Sequence, residues 1–443
     1  MNSKIKVLWF TNVEVNPQSV SSALNDGGRG WLSTLASQVC QETDLHIVAV
    51  HHRKKKLKSE YFTNHYLSPK YYILRRLLKW ILGEWNVEGD LTPAMLRVIE
   101  EVNPDLVHIH GSEKQFIKII PYLNERSIPV LVSLQGVVSV IAKKFTAAYS
   151  ERFIRTFWHE GGGSKSSLFP KRLSTVYKQI VVRAEREERL LKMAPYFAGR
   201  TFWDRSIAHL FNPQAVYFHV DRILKPIYYE RCWSSENVNS QVYTIHTTLS
   251  NSAYKGFDVI AEAVYLLEQS GFTFQWRVAG IAERSWSVRA AKRKLGKKYP
   301  KHALVLLGHL RAEELTERML NAHQYVSASY IENSPNNLAE AMVLGMPCIA
   351  TDVGGTSTYI DHNRTGMLIP SGDAYALAGC VRYLSGKKKK REALGKQARL
   401  SSLKRHSGER AKTALLNAYR SIIEGNKDKT GPTSGSKPVI TNG

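Results

Sequence analysis

The sequence predicts an α/β protein with two doubly wound parallel-sheet domains that face a cleft. Short apolar runs alternate with amphipathic stretches along the chain, and they fall into two series separated by a polar stretch at 234–241. The length of 443 residues also exceeds what one hydrophobic core usually organises. With 43% hydrophobic residues, the composition is ordinary for a globular protein with two such cores.

The apolar runs are short enough to be buried strands. The first series comprises Ile5–Phe10, Leu45–Val50, Leu106–His110 and Val130–Leu134. The second comprises Tyr243–His246, Trp276–Gly280, Ala303–Leu307, Gln324–Ser327 and Pro347–Thr351. Apolar strands of this length that alternate with helices indicate parallel sheets covered on both faces.

The polar stretch and the C-terminal composition set the expected boundaries. We expect an N-terminal domain at 1–235, a linker at 235–241 and a C-terminal domain at 241–405. A helix at 406–424 has apolar positions suited to packing on another element, and we expect it to return to the N-terminal domain. The last segment, 425–443, is polar and rich in Gly, Ser, Thr and Lys, which predicts a disordered tail.

A formal charge of +24 implies an anionic partner, which could be nucleic acid, a phosphorylated substrate or an anionic membrane face. The basic residues are scattered along the whole chain without a recognised nucleic-acid-binding motif. We therefore expect no nucleic-acid partner.

The cysteines and the N-terminus bear on location. Four cysteines, at positions 40, 232, 348 and 380, lie far apart without metal-ligand spacing, which favours free thiols in a reducing cytosol. The N-terminus passes directly into an apolar strand, and no stretch of about 18 apolar residues follows. We expect a cytoplasmic protein.

Residues 326–355 predict a strand, a polar loop, a helix, a second strand and a Gly-Gly loop. Ser334 is expected to cap the helix and Pro335 to be its first residue. The amides of residues 336–338 would then be unpaired and directed into the cleft. A diphosphate would be favoured at that helix N-terminus.

Two glutamates belong to the same segment. Glu340, about one turn into the helix, is suitably placed to accept hydrogen bonds from two ribose hydroxyls, and Glu332 on the loop can reach a transferred sugar. Taken singly, Glu340 is better explained as a solvated helix residue and Glu332 as a capping acid. Their combination with Asn-Ser-Pro at 333–335, Gly-Met-Pro at 345–347 and Asp-Val-Gly-Gly at 352–355 favours a nucleotide-sugar donor site.

The segment resembles the donor-binding signature of the family-4 retaining glycosyltransferases, in which two glutamates are separated by seven residues. That family has the α/β GT-B fold, with two Rossmann-like domains facing a cleft. The resemblance implies that Glu332 contacts hydroxyls of the donor sugar, that Glu340 holds the nucleotide ribose and that the residues between them hold sugar and phosphate. The donor-binding positions implied are Asn333, Ser334, Pro335, Asn336, Asn337, Leu338 and Glu340.

Two further motifs support the resemblance. The stretch Asp26-Gly27-Gly28 resembles the N-terminal glycine loop of the family, although such a string is also common in simple turns. Lys255 and Gly256 resemble the family's Lys-Gly after the first strand of the second domain, where the lysine meets the donor diphosphate. Lys255 and Glu332 are therefore the catalytic residues that we predict.

Two departures limit the comparison. An arginine usually precedes that lysine by a few residues, but residues 247–254 contain none, so either another arginine serves or phosphate contact is weaker. Many relatives have histidine where this chain has Gln135, so no general base is assigned.

The N-terminal domain offers candidates for the acceptor side of the cleft. We expect at most one of two neighbouring histidines to face the cleft, with His108 buried and hydrogen bonded and His110 nearer the strand end. The stretch Gly199–Asp204 resembles the end of this domain in some polysaccharide-assembly members. Arg200 and Asp204 either line the cleft or form an ion pair that holds a loop.

The resemblance implies a glycosyltransferase of the hexosyltransferase type that moves a sugar from a nucleotide-diphosphate sugar to a glycan or lipid-linked acceptor hydroxyl, with retention, in surface polysaccharide or glycoconjugate biosynthesis. We expect neither metal nor cofactor, because no Asp-x-Asp pair is evident and a helix N-terminus with Lys255 can stabilise the leaving group. The alternatives are an epimerase or hydrolase on the same fold, or a non-catalytic binding module. The donor base, the sugar and the acceptor remain open.

Residues 51–82 are rich in basic and aromatic side chains. An amphipathic segment of this kind could rest on an anionic membrane surface and bring a lipid-linked acceptor to the cleft, which would make the protein peripheral to the membrane. It could equally be a surface helix with one core face and one solvated basic face.

Overall fold

The computed structural model describes residues 4–15, 30–51, 56–67, 90–159, 171–238 and 241–430. These residues form two α/β domains, each built on a sheet whose strands are mostly or entirely parallel. The predicted fold class is confirmed.

The N-terminal domain contains an eight-stranded sheet in the order β10-β9-β6-β5-β1-β2-β4-β3. Its strands are β1 (Ile5–Thr11), β2 (Thr43–Val50), β3 (Leu57–Lys58), β4 (Thr63–Leu67), β5 (Leu106–His110), β6 (Val130–Ser133), β9 (Tyr196–Gly199) and β10 (Val216–His219). All pairs are parallel except β3 with β4. A separate antiparallel pair is formed by β7 (Trp158–His159) and β8 (Lys171–Arg172).

The helices of this domain cover both faces of its sheet, and apolar clusters lie on each side. The helices are α1 (Gly30–Val39), α2 (Thr92–Val102), α3 (Ile120–Glu125), α4 (Val138–Lys144), α5 (Glu151–Thr156), α6 (Leu173–Leu191) and α7 (Phe202–Phe211).

The C-terminal domain contains a six-stranded sheet in the order β13-β12-β11-β14-β15-β16, in which every pair is parallel. Its strands are β11 (Tyr243–Thr248), β12 (Phe274–Ala279), β13 (Leu304–Gly308), β14 (Gln324–Ser327), β15 (Cys348–Thr351) and β16 (Met367–Ile369). The helices from the domain crossover onward are α8 (Pro226–Glu230), α9 (Phe257–Gln269), α10 (Trp286–Leu295), α11 (Ala312–Leu320), α12 (Asn336–Leu344), α13 (Ala374–Ser385), α14 (Lys388–Arg405) and α15 (Gly408–Thr430).

The chain crosses between the domains earlier than the sequence suggested. The last strand of the first sheet ends at His219, and Leu224, Tyr228 and Trp233 already pack in an apolar cluster with α12 of the second domain. The polar stretch at 234–241 therefore follows a segment that is apolar enough to be part of the C-terminal core.

Helix α15 returns to the N-terminal domain. Its residues Ala411, Leu415 and Tyr419 are buried in a cluster with Trp9 and Ile47 of the first sheet. The helix continues to Thr430, beyond the expected end at 424, and residues 431–443 of the expected tail lie outside the described residues.

The four cysteines are free thiols. Among the residues that the structure describes, no helix combines the length and the apolar character needed to cross a membrane.

Candidate active site

A cavity of about 510 Å³ opens at the carboxyl edge of the C-terminal sheet, where parallel sheets bind ligands. Loops after β11, β12, β13 and β14 surround it, and so do the start of α12 and the crossover segment. The charged and polar side chains in its wall are Lys225, Tyr228, Thr248, Ser250, Asn251, Lys255, His309, Glu332, Ser334, Asn336, Asn337 and Glu340.

The two predicted catalytic residues are in direct contact. Lys255 Nζ lies 2.5 Å from Glu332 Oε1, and Ser329 Oγ donates a 2.8 Å hydrogen bond to the same oxygen. Burial disfavours the ammonium charge, but Glu332 and the Tyr254 hydroxyl outweigh it, so the pKa of Lys255 is raised. The lysine is therefore a fixed positive charge in the cavity wall.

Gly256 lets the segment that carries Lys255 approach the loop that follows β14. Its φ is +70°, and a Cβ there would lie 1.8 Å from the carbonyl oxygen of Ala328. Beside it, Tyr330 N donates to Tyr254 O at 2.8 Å. The two loops are thus in backbone contact, which only glycine allows at this position.

The Gly-Gly loop after β15 fixes the backbone of Glu332. Gly354 has φ +52°, and a Cβ on it would lie 2.0 Å from Glu332 O. Gly355 N donates to that same carbonyl at 3.0 Å. The loop therefore has a supporting role that its sequence alone did not specify.

Helix α12 begins at Asn336, one residue later than the sequence suggested. Pro335 occupies the N-cap position with φ −69° and ψ 111°, and no side chain caps the helix. Instead of capping, Ser334 Oγ accepts a 3.4 Å hydrogen bond from Arg200 Nη1.

The first turn of α12 meets the cavity wall at Asn336 and Asn337, but the Leu338 amide has a partner and is not unpaired as expected. The first backbone bond of α12 runs from Ala339 N to Pro335 O at 3.0 Å, so the amides of Asn336, Asn337 and Leu338 precede the helical ladder. Leu338 N donates to Asn337 Oδ1 at 3.0 Å. The partial positive charge of the helix N-terminus therefore faces the cavity.

Glu340 points into the cavity from the same helix. The Tyr228 hydroxyl donates a hydrogen bond to its carboxylate, and Lys225 lies close enough to stabilise its charge. Burial nevertheless raises the pKa of Glu340 to about 7, against the opposing influence of Lys225, Tyr228 and Arg222.

Not every residue of the predicted donor segment lines this cavity. Asn333 is buried between the domains, where its Nδ2 donates to the carbonyls of Leu134 and Gln135 at 3.2 Å and its Oδ1 accepts from Thr201 Oγ1 at 2.9 Å. The Leu338 side chain belongs to the apolar core.

Gly27 and Gly28 lie outside the described residues, as do 52–55 and 68–89 of the basic and aromatic segment.

The two histidines of β5 share one face of the strand, and both are buried. Their ring centroids are 3.8 Å apart, because residues two positions apart on a strand point the same way. His108 is buried and bonds Tyr419 Oη at 2.6 Å and Ser133 Oγ at 2.7 Å, as expected. His110 is 1% exposed and packs on Trp9 at 4.4 Å, so its ring is covered.

Arg200 lies at the contact between the domains. Its Nη1 donates to Leu134 O at 3.3 Å and, more weakly, to Ser334 Oγ. Asp204 accepts from the Arg200 backbone amide at 3.0 Å and completes a capping box with Thr201. The carboxylate therefore stabilises the start of α7, and the arginine side chain contacts the donor segment.

Sequence reasoning missed Lys225 and Tyr228, which reach the cavity from the crossover segment, and it missed Glu113. The Glu113 carboxylate accepts from Gly136 N at 2.7 Å and from Asn12 Nδ2 at 3.1 Å at the carboxyl edge of the N-terminal sheet. Burial raises its pKa to about 7. Its position directly after a predicted strand end was the signal that could have identified it.

Comparison with known proteins identifies the family of the C-terminal domain. Residues 241–401 match the family model described as glycosyl transferases group 1. The amylovoran biosynthesis glycosyltransferase AmsK of Erwinia amylovora is 29% identical over 137 residues, which cover 30% of this chain and 33% of that protein. The match thus spans about a third of the length of this curated relative.

Solved structures resemble nearly the whole chain. Sucrose-phosphate synthase of Thermosynechococcus elongatus superposes with a TM-score of 0.69 at 14% identity, over 95% of this chain and 100% of that one. Anabaena HepE, solved in complex with UDP and glucose, gives a TM-score of 0.63 at 11% identity, over 94% and 100%. Residues 241–401 therefore form a domain of the glycosyl transferases group 1 family, in a chain with the two-domain GT-B fold.

Proposed function

We propose that this protein is a retaining glycosyltransferase that moves a sugar from a nucleotide-diphosphate sugar to a hydroxyl of a glycan or lipid-linked acceptor, in the biosynthesis of a surface polysaccharide or glycoconjugate. One observation carries the proposal. A single cavity brings together the Lys255–Glu332 pair, the N-terminus of α12 and the carboxylate of Glu340.

Each part of that cavity suits one part of such a donor. The first-turn amides of α12 and the Lys255 ammonium would bind the diphosphate, because both favour negative charge. Glu340 would accept hydrogen bonds from the ribose hydroxyls. Glu332 would contact the sugar, and the wall formed by Gly280, His309 and Leu310 would receive the base.

The transfer breaks the bond between the anomeric carbon and the β-phosphate oxygen and forms a bond from that carbon to the acceptor oxygen. The proton of the acceptor hydroxyl would pass to the departing phosphate oxygen, so no separate base is required. Lys255 and the helix N-terminus would stabilise the charge that develops on the leaving group. These fixed charges are the basis for proposing a metal-independent reaction.

The comparisons support the substrate classes. AmsK is named as an amylovoran biosynthesis glycosyltransferase, and HepE was solved with UDP and glucose. The resemblance of the segment from Glu332 to Glu340 to the family-4 signature supports retention. We also propose a cytoplasmic enzyme that associates peripherally with an anionic membrane face through 51–82, which sedimentation with anionic vesicles would test.

The experiment starts with thermal stabilisation by UDP-, GDP- and ADP-sugars, because a ligand that binds the folded state raises Tm. Consumption of the stabilising donor is then measured with and without acceptor hydroxyl compounds, and with a chelator added. Acceptor-dependent consumption that persists in chelator is the expected result. Donor consumed without any acceptor would instead indicate a hydrolase or epimerase. NMR of the product then tests whether the anomeric configuration is retained.

A further inference from the structure

Two buried arginines lie against the same tryptophan ring where the domains meet. Arg200 and Arg222 are 4% and 7% exposed, and their guanidinium groups lie 5.6 and 4.3 Å from the ring centre of Trp31. Neither forms an ion pair with any carboxylate of the described residues, and the Nε of each has no hydrogen-bond partner.

The acids nearest to them in sequence have other partners. Asp204 accepts from the Arg200 and Thr201 amides and from the Tyr217 hydroxyl. Asp221 is paired with Arg405 at 2.9 Å and with His219 at 2.8 Å.

Two like charges in this setting are costly without a counter-ion. Burial and the neighbouring Arg200 lower the pKa of Arg222 to about 9. The charges of Glu113 and Glu340 raise the pKa of Arg222, but they do not offset the lowering by burial and Arg200. The site as described lacks a negative group that would stabilise both guanidinium ions.

The two arginines adjoin the donor cavity. Arg200 Nη1 donates to Ser334 Oγ at 3.4 Å and Arg222 Nη1 donates to Asn336 Oδ1. Ser334 and Asn336 both line that cavity at the N-terminus of α12. A group held by the arginines would therefore also meet the helix amides.

A further buried polar group faces the same pair. Both ring nitrogens of His110 have no partner among the described residues, and the charges of both arginines act on its ring. Three buried side chains near Trp31 thus carry nitrogen atoms without a partner among the described residues.

We propose that Arg200 and Arg222 form a binding site for a phosphate group that enters the cleft with a substrate. The geometry is that of charge-assisted recognition, in which guanidinium groups donate to phosphate oxygens. Which substrate carries the phosphate rests on the proposed function. The phosphate group belongs either to the diphosphate of the donor or to the acceptor.

The test measures binding of inorganic pyrophosphate and of UDP to the full chain by calorimetry and by the shift in Tm. The variants are Arg200→Gln, Arg222→Gln and the charge-retaining Arg222→Lys. Arg231→Gln is the matched control, because Arg231 is 49% exposed and paired with Glu317 at 2.6 Å.

We expect Arg200→Gln and Arg222→Gln each to raise the Kd for pyrophosphate roughly tenfold or more, since hydrogen bonds to charged groups contribute about one to two decades of affinity. Arg222→Lys should keep part of the pyrophosphate affinity, and the control should bind pyrophosphate as tightly as the wild type does.

The two sources of phosphate give different results. If the arginines hold the donor diphosphate, the same variants also lose UDP affinity. If they hold a phosphate of the acceptor, UDP affinity is unchanged while pyrophosphate binding falls and the acceptor KM rises. Removing an uncompensated charge should leave the Tm without ligand unchanged or higher.

The proposal is overturned if pyrophosphate does not bind the wild type, or if the glutamine variants bind it as tightly. It is also overturned if these variants lower the Tm and leave the pyrophosphate response intact, as a purely structural arginine would. Failure of the proposed function would look different, because sugar transfer would be absent while pyrophosphate still bound through the arginines.

Discussion

The Lys255 ammonium and the Glu332 carboxylate lie 2.5 Å apart, with side chains only 17% and 10% exposed, although they follow different strands of the C-terminal sheet. Gly256 brings the two loops together by close backbone contact, and the Gly-Gly loop at 354–355 supports the backbone of Glu332. The two groups therefore form an ion pair in the cavity wall. The Glu332 carboxylate orients the Lys255 ammonium without a bound ligand.

Replacing either member should abolish transfer while the fold persists. We expect Lys255→Ala and Glu332→Gln each to lower turnover by about 10² to 10³-fold, because each removes a fixed group that stabilises charge developing in the transition state. Initial rates of donor consumption at saturating acceptor measure this effect, and Tm monitors folding.

A second ion pair of the same domain provides the control for that experiment. Lys294 and Asp258 are also 2.5 Å apart, with Asp258 1% exposed, but neither lines the cavity. Lys294→Ala should lower Tm and leave turnover within about twofold of the wild type, since only stability depends on this pair. Full activity of both Lys255→Ala and Glu332→Gln would contradict the assignment.

Nucleotide binding should depend on pH through Glu340. Its pKa is raised to about 7 by burial, and the ionised carboxylate accepts hydrogen bonds from the ribose hydroxyls more strongly than the neutral acid does. Affinity for the nucleotide should therefore increase as pH rises through about 7, and Glu340→Gln should bind weakly with little pH dependence. Calorimetric titrations from about pH 5.5 to 8.5 measure this on both sides of the raised pKa.

The same carboxyl affects stability in the opposite sense. Because its folded-state pKa lies above the unfolded value, its contribution to folding is complete below the ordinary glutamate range and is lost as pH rises through about 7. Tm of the protein without ligand should therefore fall over this window, and less steeply in Glu340→Gln. Wild-type nucleotide affinity that stays constant from pH 6 to 8, about one unit either side of that pKa, would contradict the ribose role.

Gly256→Ala should cost both stability and activity. The new Cβ would lie 1.8 Å from Ala328 O, so the loop must move and carry Lys255 away from Glu332. Gly271→Ala is the matched control, because Gly271 has the same φ of +70° but no atom within 4 Å of its Cβ position. We expect the control to lose about 1 kcal/mol of stability from backbone strain and to keep its activity. Equal loss of activity in both variants would show that strain, not the displaced lysine, is responsible.

The sequence was sufficient to predict which strands end at the site, because apolar runs mark buried parallel strands and their carboxyl ends meet at one edge. That reasoning, together with the family resemblance that assigned roles to Lys255 and the two glutamates, brought Lys255, Glu332 and Glu340 together in one cavity. It also anticipated that His108 is buried and hydrogen bonded.

Contacts between distant segments were beyond such reasoning. Lys225 and Tyr228 reach Glu340 only because α8 packs on the second domain, and nothing local marks them. Asn333 has the right position in the motif, yet carbonyl groups of the other domain take its amide.

Strand β4 was missed for a related reason. Its Asn64 is buried, and the Nδ2 atom donates to Val15 O at 3.2 Å. A polar residue in a buried strand is satisfied by a tertiary partner that the local pattern does not reveal.

The returning helix α15 should stabilise the N-terminal domain through one hydroxyl group as well as through its buried apolar side chains. Tyr419 Oη accepts from Trp9 Nε1 at 2.8 Å and bonds His108 Nδ1 at 2.6 Å, and all three side chains are buried. Tyr419→Phe would leave two buried polar atoms without a partner, and we expect a loss of about 1–3 kcal/mol in the free energy of unfolding. Tyr375→Phe, at a side chain that is 72% exposed, should leave it unchanged. Urea unfolding followed by tryptophan fluorescence measures both variants, and a wild-type midpoint for Tyr419→Phe would mean that apolar packing alone holds the helix.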